Sequence, residues 1–102
     1  MNYYGLHGKL QATVGNGPRL ADILLKASRL VASAPGCRLY LVSQDPQNSD
    51  AVWITEAWDS QEDHDRSLEI SGVRELIGRA MPLLDGPPQP GQQLTVLGGF
   101  GL

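Results

Sequence analysis

The sequence predicts an α+β protein in which one antiparallel sheet of four strands carries two helices. Three observations lead to this prediction. Segments with strand and helix periodicity follow one another in the order β-α-β-β-α-β, one segment is a clear strand, and each helical segment has one apolar stripe. That order is the split βαβ, or ferredoxin-like, arrangement. The 102 residues fit one domain, 1–102, whose last residues, 98–102, form a flexible Gly-rich tail.

Local sequence signals define each element in turn. Strands are predicted where apolar and polar residues alternate, and helices where apolar residues recur every three or four positions. Turn residues separate the elements, among them Pro18 at the start of the first helix and Gly36 after its end. The elements expected are strands at 4–13, 37–44, 51–60 and 92–97, a helix at 19–33, a polar hairpin loop at 45–50, a second helix capped by Ser60 and interrupted at 70–72, and an extended linker at 85–91.

Residues 51–60 form the most informative of these segments. They are rich in β-branched and aromatic residues and contain neither Pro nor Gly. Because side chains alternate along a strand, Glu56 and Trp58 share one face, and Trp53 lies on the other. A carboxylate on a mostly apolar face is costly to bury unless it is paired, and we expect Arg38 across the hairpin, or a partner chain, to supply the pair. A Trp on each face predicts that both faces are covered.

Two helices cover only one face of such a sheet. The other face would expose Leu and Val side chains from several strands, and an apolar patch of that size usually marks an interface. Two sheets packed face to face would bury the patch, so we expect a two-fold symmetric homodimer.

Composition and charge exclude several classes of function. The net charge is −3 and no basic cluster is present, which argues against nucleic acid as a partner. No apolar run approaches the roughly 18 residues that cross a bilayer, and residues 1–5 lack the features of a signal peptide. A single cysteine, Cys37, fits a reducing compartment, so a cytoplasmic protein is expected. His7 and His64 do not have metal-ligand spacing, and no metal is expected.

Several segments together resemble the antibiotic biosynthesis monooxygenase (ABM) family. They are the Pro35-Gly36-Cys37 entry to strand two, the segment Trp53-x-x-Glu56-x-Trp58-x-Ser60, an early helix histidine at His64 and the Gly-rich end. The resemblance implies a dimeric α/β barrel. It also implies oxygenation of a quinol or polycyclic aromatic phenol by dioxygen without any cofactor, because the deprotonated substrate itself supplies the electrons.

The chain departs from this family at one position. Many members carry a helix histidine nine residues after the second strand Trp, where this chain has Ser67. His64 lies about one turn earlier and would project from a similar face of the helix. Haem-degrading relatives use a Trp and a His further along this helix, where the chain offers Ser67 and residues 77–78, so haem cleavage is disfavoured.

Candidate site residues follow from this comparison. His64 and Glu56 are predicted to handle protons, and the predicted pocket residues are Trp53, Trp58, His7 and Tyr40. Each has a structural alternative: the two Trp side chains as packing residues, Glu56 as one half of an ion pair, and His64 as a solvent-exposed residue. Two other functions stay open, a non-catalytic dimer that binds a small apolar compound, and an isomerase, cyclase or lyase on the same fold.

Overall fold

Four strands and three α-helices alternate along the chain in a computed structural model, which describes residues 2–102. Met1, where the predicted domain begins, lies outside the described residues. The elements are β1 (Tyr3–Gln11), α1 (Gly17–Val31), β2 (Cys37–Asp45), β3 (Asn48–Trp58), α2 (Gln61–Ser67), α3 (Ser71–Ala80), a 3₁₀ turn (Met81–Leu83) and β4 (Gln92–Val96). This order confirms the ferredoxin-like prediction, with the second helix divided into α2 and α3 close to the expected interruption.

The strands form one antiparallel sheet in the order β2-β3-β1-β4. The register sets Glu56 on β3 beside Leu6 on β1 and Tyr40 on β2. Trp58, two residues later on β3, pairs with Tyr4 in the same way. The side of the sheet that carries these residues is the one that the helices cover, so several polar groups are brought to the interior at the centre of the sheet.

The hairpin loop between β2 and β3 is shorter than predicted. Only Pro46 and Gln47 connect the two strands, because β2 continues to Asp45 and β3 begins at Asn48. The polar side chains in this region do not prevent pairing, since they are exposed and bond to nearby backbone groups. For example, the Asp45 carboxylate accepts from the Gln47 backbone N–H at 2.9 Å. The expected loop at 45–50 was therefore wrong, because polar composition alone does not distinguish a loop from an exposed hairpin end.

Helix α1 begins two residues before the predicted start. The Asp50 carboxylate, at the start of β3, accepts from the backbone N–H groups of Gly15 and Gly17 at 3.1 and 2.8 Å. An anion at this position satisfies free N–H groups and complements the helix dipole. Gly17 also approaches β3 so closely that a Cβ there would lie 1.9 Å from the Ser49 carbonyl oxygen. A carboxylate from a distant strand thus fixes where α1 begins.

The core lies between the helices and the sheet. Trp58 is fully buried against Val31 of α1 and Val73 of α3. A second cluster contains the buried residues Ala12, Leu20, Ile23, Leu24, Ala27, Val52, Leu76 and Ala80. Within residues 2–102, no helix has both the length and the apolar character to cross a membrane.

The other side of the sheet, which we call the open face, carries no helix. Leu41 on β2 is 51% exposed and Leu94 on β4 is 46% exposed. Phe100, in the segment after β4, is fully exposed. The open face therefore presents large apolar side chains to solvent in the single chain.

Candidate active site

Glu56 is a carboxylate in the interior of the protein. It is only 8% exposed, and its Oε1 accepts a hydrogen bond from Trp58 Nε1 at 3.0 Å. The two residues are two positions apart on β3, so the strand places both side chains on the helix-covered side. The indole N–H satisfies one lone pair of the carboxylate and leaves its other acceptor positions free.

His64 faces this carboxylate from α2. The Ser60 hydroxyl accepts from the Asp63 backbone N–H at 3.2 Å, which fixes the start of the helix so that His64 points back to the sheet. Its side chain is 12% exposed, and its Nε2 lies 3.8 Å from Glu56 Oε1. The alternative of a solvent-exposed histidine was therefore wrong, because the short helix packs this side toward β3.

Two aromatic rings hold the imidazole in place. The ring centroid of His64 lies 5.5 Å from that of Tyr4 and 5.9 Å from that of Trp58, the latter in an edge-on arrangement. Edge-on and tilted contacts at this separation are favourable between aromatic rings. His64, Glu56, Trp58 and Tyr4 thus form one cluster, which we call the Glu56 cluster, from three separate elements.

Arg38, the partner expected for Glu56 within the chain, does not pair with it. Arg38 Nε instead donates to Asp59 Oδ1 at 2.7 Å, with both side chains about two-fifths exposed. A bulge in the β2–β3 pairing lies between Cys37 and Leu39, and Arg38 is exposed. Glu56 has no guanidinium partner among the described residues, and its polar neighbours are an indole and an imidazole.

Burial controls proton binding in this cluster. Desolvation raises the pKa of Glu56, and the Trp58 hydrogen bond and the nearby His64 oppose the rise only in part. Burial also raises the pKa of the Tyr40 phenol, and the Glu56 charge adds to this rise. The same two effects, with a contribution from Asp65, raise the pKa of Tyr4. The two tyrosines therefore remain neutral hydrogen-bonding groups.

Three cavities border Glu56, and two of them lie on the helix-covered side of the sheet. One, of about 60 Å³, lies under α1 and α3 and is bordered by Tyr40 and Ser67 as well as Glu56. The other, of about 160 Å³, lies between β1 and the linker before β4, where Leu6 and Gly91 form its walls. Both are lined mainly by apolar groups. Their combined volume is below the roughly 300 Å³ at which pockets for drug-sized ligands begin.

Ser67 stands at the position where the family resemblance implied a histidine. Its side chain is buried and borders the cavity under α1 and α3 that Glu56 also borders. The hydroxyl donates to the His64 carbonyl oxygen at 2.5 Å. The imidazole in this region is supplied by His64, whose Nε2 lies 3.8 Å from Glu56 Oε1.

The structure does not bring His7 and Trp53 into this cluster. Both lie on the open face, where their rings stack at 5.1 Å and His7 Nδ1 lies 2.9 Å from Thr55 Oγ1. A groove of about 280 Å³ borders His7 on that face. Six candidate residues are therefore divided by the sheet: Glu56, Trp58, His64 and Tyr40 are on the helix-covered side, and His7 and Trp53 are on the other.

Two members of the site were not among the six predicted site residues. Tyr4 contacts the His64 ring, and Asp65 Oδ1 lies 2.9 Å from His64 Nδ1. The alternation of Tyr4 and Leu6 along β1 was a usable signal, since it places Tyr4 on the helix-covered side. Asp65 gave no such signal, because neighbouring helix positions do not normally face each other.

Within residues 2–102, no three His, Cys, Asp or Glu side chains lie close enough together to hold a metal ion. Glu56 borders apolar cavities, and the His64 imidazole lies 3.8 Å from its carboxylate. The fold and the site thus define a ferredoxin-like α+β protein with an interior carboxylate–imidazole pair next to apolar cavities.

Residues 4–77 match the model of the family described as antibiotic biosynthesis monooxygenase, and the chain belongs to this ABM family. A structure of an antibiotic biosynthesis monooxygenase candidate from Chloroflexus aurantiacus is 40% identical, covers 97% of both chains and has a TM-score of 0.87. A second candidate, from Deinococcus radiodurans, is 25% identical over 97% of this chain and 95% of its own, with a TM-score of 0.73.

A third structure shows the fold alone. This ABM candidate from Nitrosomonas europaea is 11% identical, covers 94% of this chain and 90% of its own, and has a TM-score of 0.84. A search of curated proteins found no match. The family assignment names a class of oxidoreductase, and it leaves the substrate to be proposed from the site.

Proposed function

We propose that this protein is a monooxygenase that oxidises a quinol, or a related electron-rich phenol, with dioxygen and without a cofactor. The observation that carries the proposal is the Glu56–His64 pair, separated by 3.8 Å in the interior, in which Glu56 borders an apolar cavity. A base in a dry pocket is what deprotonation of a phenol requires.

The proposed reaction balances without any further reagent. The pair removes the phenolic proton, and the electron-rich phenolate reduces dioxygen and forms a carbon–oxygen bond at a ring carbon. Loss of the ring hydrogen and cleavage of the O–O bond then release water. For a simple quinol the sum is C₆H₆O₂ + O₂ → C₆H₄O₃ + H₂O, so one oxygen atom enters the product and the other enters water.

The cavities on the helix-covered side of Glu56 favour a quinol over a polycyclic phenol. Their combined volume is smaller than a pocket for a drug-sized ligand, so a single substituted ring fits there with less rearrangement.

We also propose that two copies pack through their open faces. Half-exposed Leu41 and Leu94 form the apolar surface that such packing would bury. The groove beside His7 is bordered by Phe100, yet this ring remains fully exposed in the single chain. A second copy offers both a matching apolar sheet and an unburied aromatic ring, so it is the occupant that fits this surface. His7 and Trp53 would then be interface residues.

Oxygen uptake by the purified protein tests the function. We would offer substituted quinols and, for comparison, polycyclic phenols, and measure uptake above the autoxidation background for the wild type and for His64→Ala. The monooxygenase predicts saturable uptake with quinols that His64→Ala abolishes or strongly reduces. Saturable binding without uptake would instead indicate the non-catalytic binding protein, and conversion without uptake would indicate an isomerase, cyclase or lyase.

A further inference from the structure

The imidazole of His64 lies between two carboxylates of very different exposure. Its Nδ1 is 2.9 Å from Asp65 Oδ1, and its Nε2 is 3.8 Å from Glu56 Oε1. Asp65 is 61% exposed at the surface, whereas Glu56 is buried. The ring therefore joins a solvent-facing carboxylate to the carboxylate that borders the cavities.

The distances restrict where His64 can carry its proton. A neutral imidazole has one N–H donor and one acceptor nitrogen, and an ionised carboxylate only accepts. If Nε2 held the proton, the lone pair of Nδ1 would face the Asp65 oxygen at 2.9 Å, which is repulsive. With the proton on Nδ1, the same contact becomes a charge-assisted hydrogen bond. Protonated His64 also carries a proton on Nδ1, so this nitrogen remains a donor in both states.

We propose that Asp65 is a positioning residue that keeps a proton on His64 Nδ1, so that Nε2 is the atom that exchanges a proton with Glu56. The placement of the proton does not depend on the reaction, whereas its catalytic value rests on the proposed monooxygenase function.

The surroundings leave Asp65 available for this role. The neighbouring acidic residues on α2, Glu62 and Asp63, lie 3.7 and 3.3 Å from the guanidinium of Arg66. The nearest aromatic rings, Tyr4 and Trp58, contact the imidazole in a tilted and an edge-on arrangement. Asp65 is thus the carboxylate that Nδ1 meets, and a change at this position alters the tautomer without opening the core.

Nitrogen NMR tests the proposal directly. Long-range ¹H–¹⁵N spectra of ¹⁵N-labelled protein distinguish a protonated ring nitrogen from an unprotonated one. We would compare the wild type with Asp65→Ala, which removes the acceptor that faces Nδ1, and with Glu62→Gln, which removes an equal charge from the same helix. The expected result is an Nδ1–H tautomer in the wild type and in Glu62→Gln, and a shift toward Nε2–H in Asp65→Ala. An Nε2–H tautomer in the wild type, or an unchanged tautomer in Asp65→Ala, would overturn the proposal.

Kinetics provide a second and separable readout. On a substrate that the wild type oxidises, Asp65→Ala should lower kcat by about tenfold to a hundredfold with little change in KM, a part of the 10²–10⁴ that a positioned base contributes. Asp65→Glu, which retains a carboxylate acceptor, should keep part of the activity that Asp65→Ala loses. If no substrate is oxidised while the tautomers behave as expected, the proposed function fails and the placement of the proton stands. Equal kcat in Asp65→Ala and Glu62→Gln would overturn the catalytic part.

Discussion

The Glu56 carboxylate and the His64 imidazole come from different elements and face each other across 3.8 Å in the protein interior. Strand β3 fixes the carboxylate and its indole partner, and the capped start of α2 fixes the imidazole. Each group also has a further hydrogen-bond partner, Trp58 for Glu56 and Asp65 for His64.

Glu56→Gln separates the acid–base role of this residue from its structural role. The glutamine carbonyl oxygen can still accept from Trp58 Nε1, but it cannot take up a proton. We expect turnover to fall by about 10²–10⁴, the contribution of a positioned acid–base group, with the fold retained. The surface variant Glu75→Gln is the control and should keep wild-type turnover. Normal turnover in Glu56→Gln would remove this residue from the mechanism.

The raised pKa of Glu56 predicts a pH dependence of stability. Because burial raises this pKa above its ordinary value near 4.5, the folded state holds the proton more tightly than the unfolded chain does. This contribution to stability is complete below about pH 4.5 and is lost as the pH rises through the folded-state pKa. Urea unfolding of the wild type and Glu56→Gln from pH 4 to 8 measures it. The wild type should lose stability relative to Glu56→Gln as the pH rises. A difference in the free energy of unfolding that does not depend on pH would contradict the raised pKa of Glu56.

Trp58→Phe tests the indole hydrogen bond. The variant keeps an aromatic ring in the core but removes the donor to buried Glu56. Leaving a buried acceptor without its partner should lower the free energy of unfolding by about 1–3 kcal/mol at pH 7. Trp53→Phe is the comparison, because Trp53 lies on the open face and does not donate to Glu56. It should lower the free energy of unfolding by less. If urea unfolding showed equal losses of stability in the two variants, the size of the ring and not the hydrogen bond to Glu56 would account for the effect.

Two glycines on helices should respond oppositely to alanine. At Gly17 a Cβ would overlap the Ser49 carbonyl oxygen, so Gly17→Ala should destabilise the protein by about 1–3 kcal/mol. At Gly78 on α3 a Cβ would meet nothing within 4 Å, so Gly78→Ala should stabilise it by about 0.5–1 kcal/mol. Thermal or urea unfolding of both variants measures these changes. A stable Gly17→Ala protein would contradict the close approach of α1 and β3.

Packing through the open face predicts a charge-sensitive dimer. Leu41→Glu places a carboxylate on the open face and should convert a dimer to a monomer in size-exclusion chromatography with light scattering. Leu25→Glu is the matched control, because Leu25 lies on α1 and is 42% exposed, close to the exposure of Leu41. A wild-type monomer, or a dimer that tolerates Leu41→Glu, would contradict the proposed interface.

Periodicity predicted the order of the elements and the face of each β3 residue, because both depend on local rules. The close pairing of Glu56 with Trp58 follows from the same alternation. The contact between Glu56 and His64 could not be predicted from spacing alone, since it depends on how a short helix packs on the sheet. Arg38 was predicted to pair with Glu56 on the basis of charge alone. A bulge in β2 at this position interrupts the alternation of side chains, and the Arg38 side chain is exposed and pairs with Asp59.

The division of the candidate residues between the two sides of the sheet also follows from the alternation of side chains along the strands. Alternation already placed Trp53 on the face opposite Glu56, and β1 placed His7 there as well. The six side chains were predicted to form one pocket because of their chemical character, but they lie on the two opposite sides of the sheet. The role of Asp65 was not visible in the sequence, because a contact between adjacent helix residues depends on side-chain rotamers.

The most direct test of the proposed function is isotope labelling with ¹⁸O₂. Wild-type protein would react with a quinol under ¹⁸O₂, and the product and any hydrogen peroxide would be measured beside Glu56→Gln and a protein-free control. The Glu56–His64 oxygenase predicts one ¹⁸O atom in the product, none as hydrogen peroxide, and a rate in Glu56→Gln close to the protein-free background. Unlabelled quinone formed with hydrogen peroxide, or labelling that is unchanged in Glu56→Gln, would contradict it.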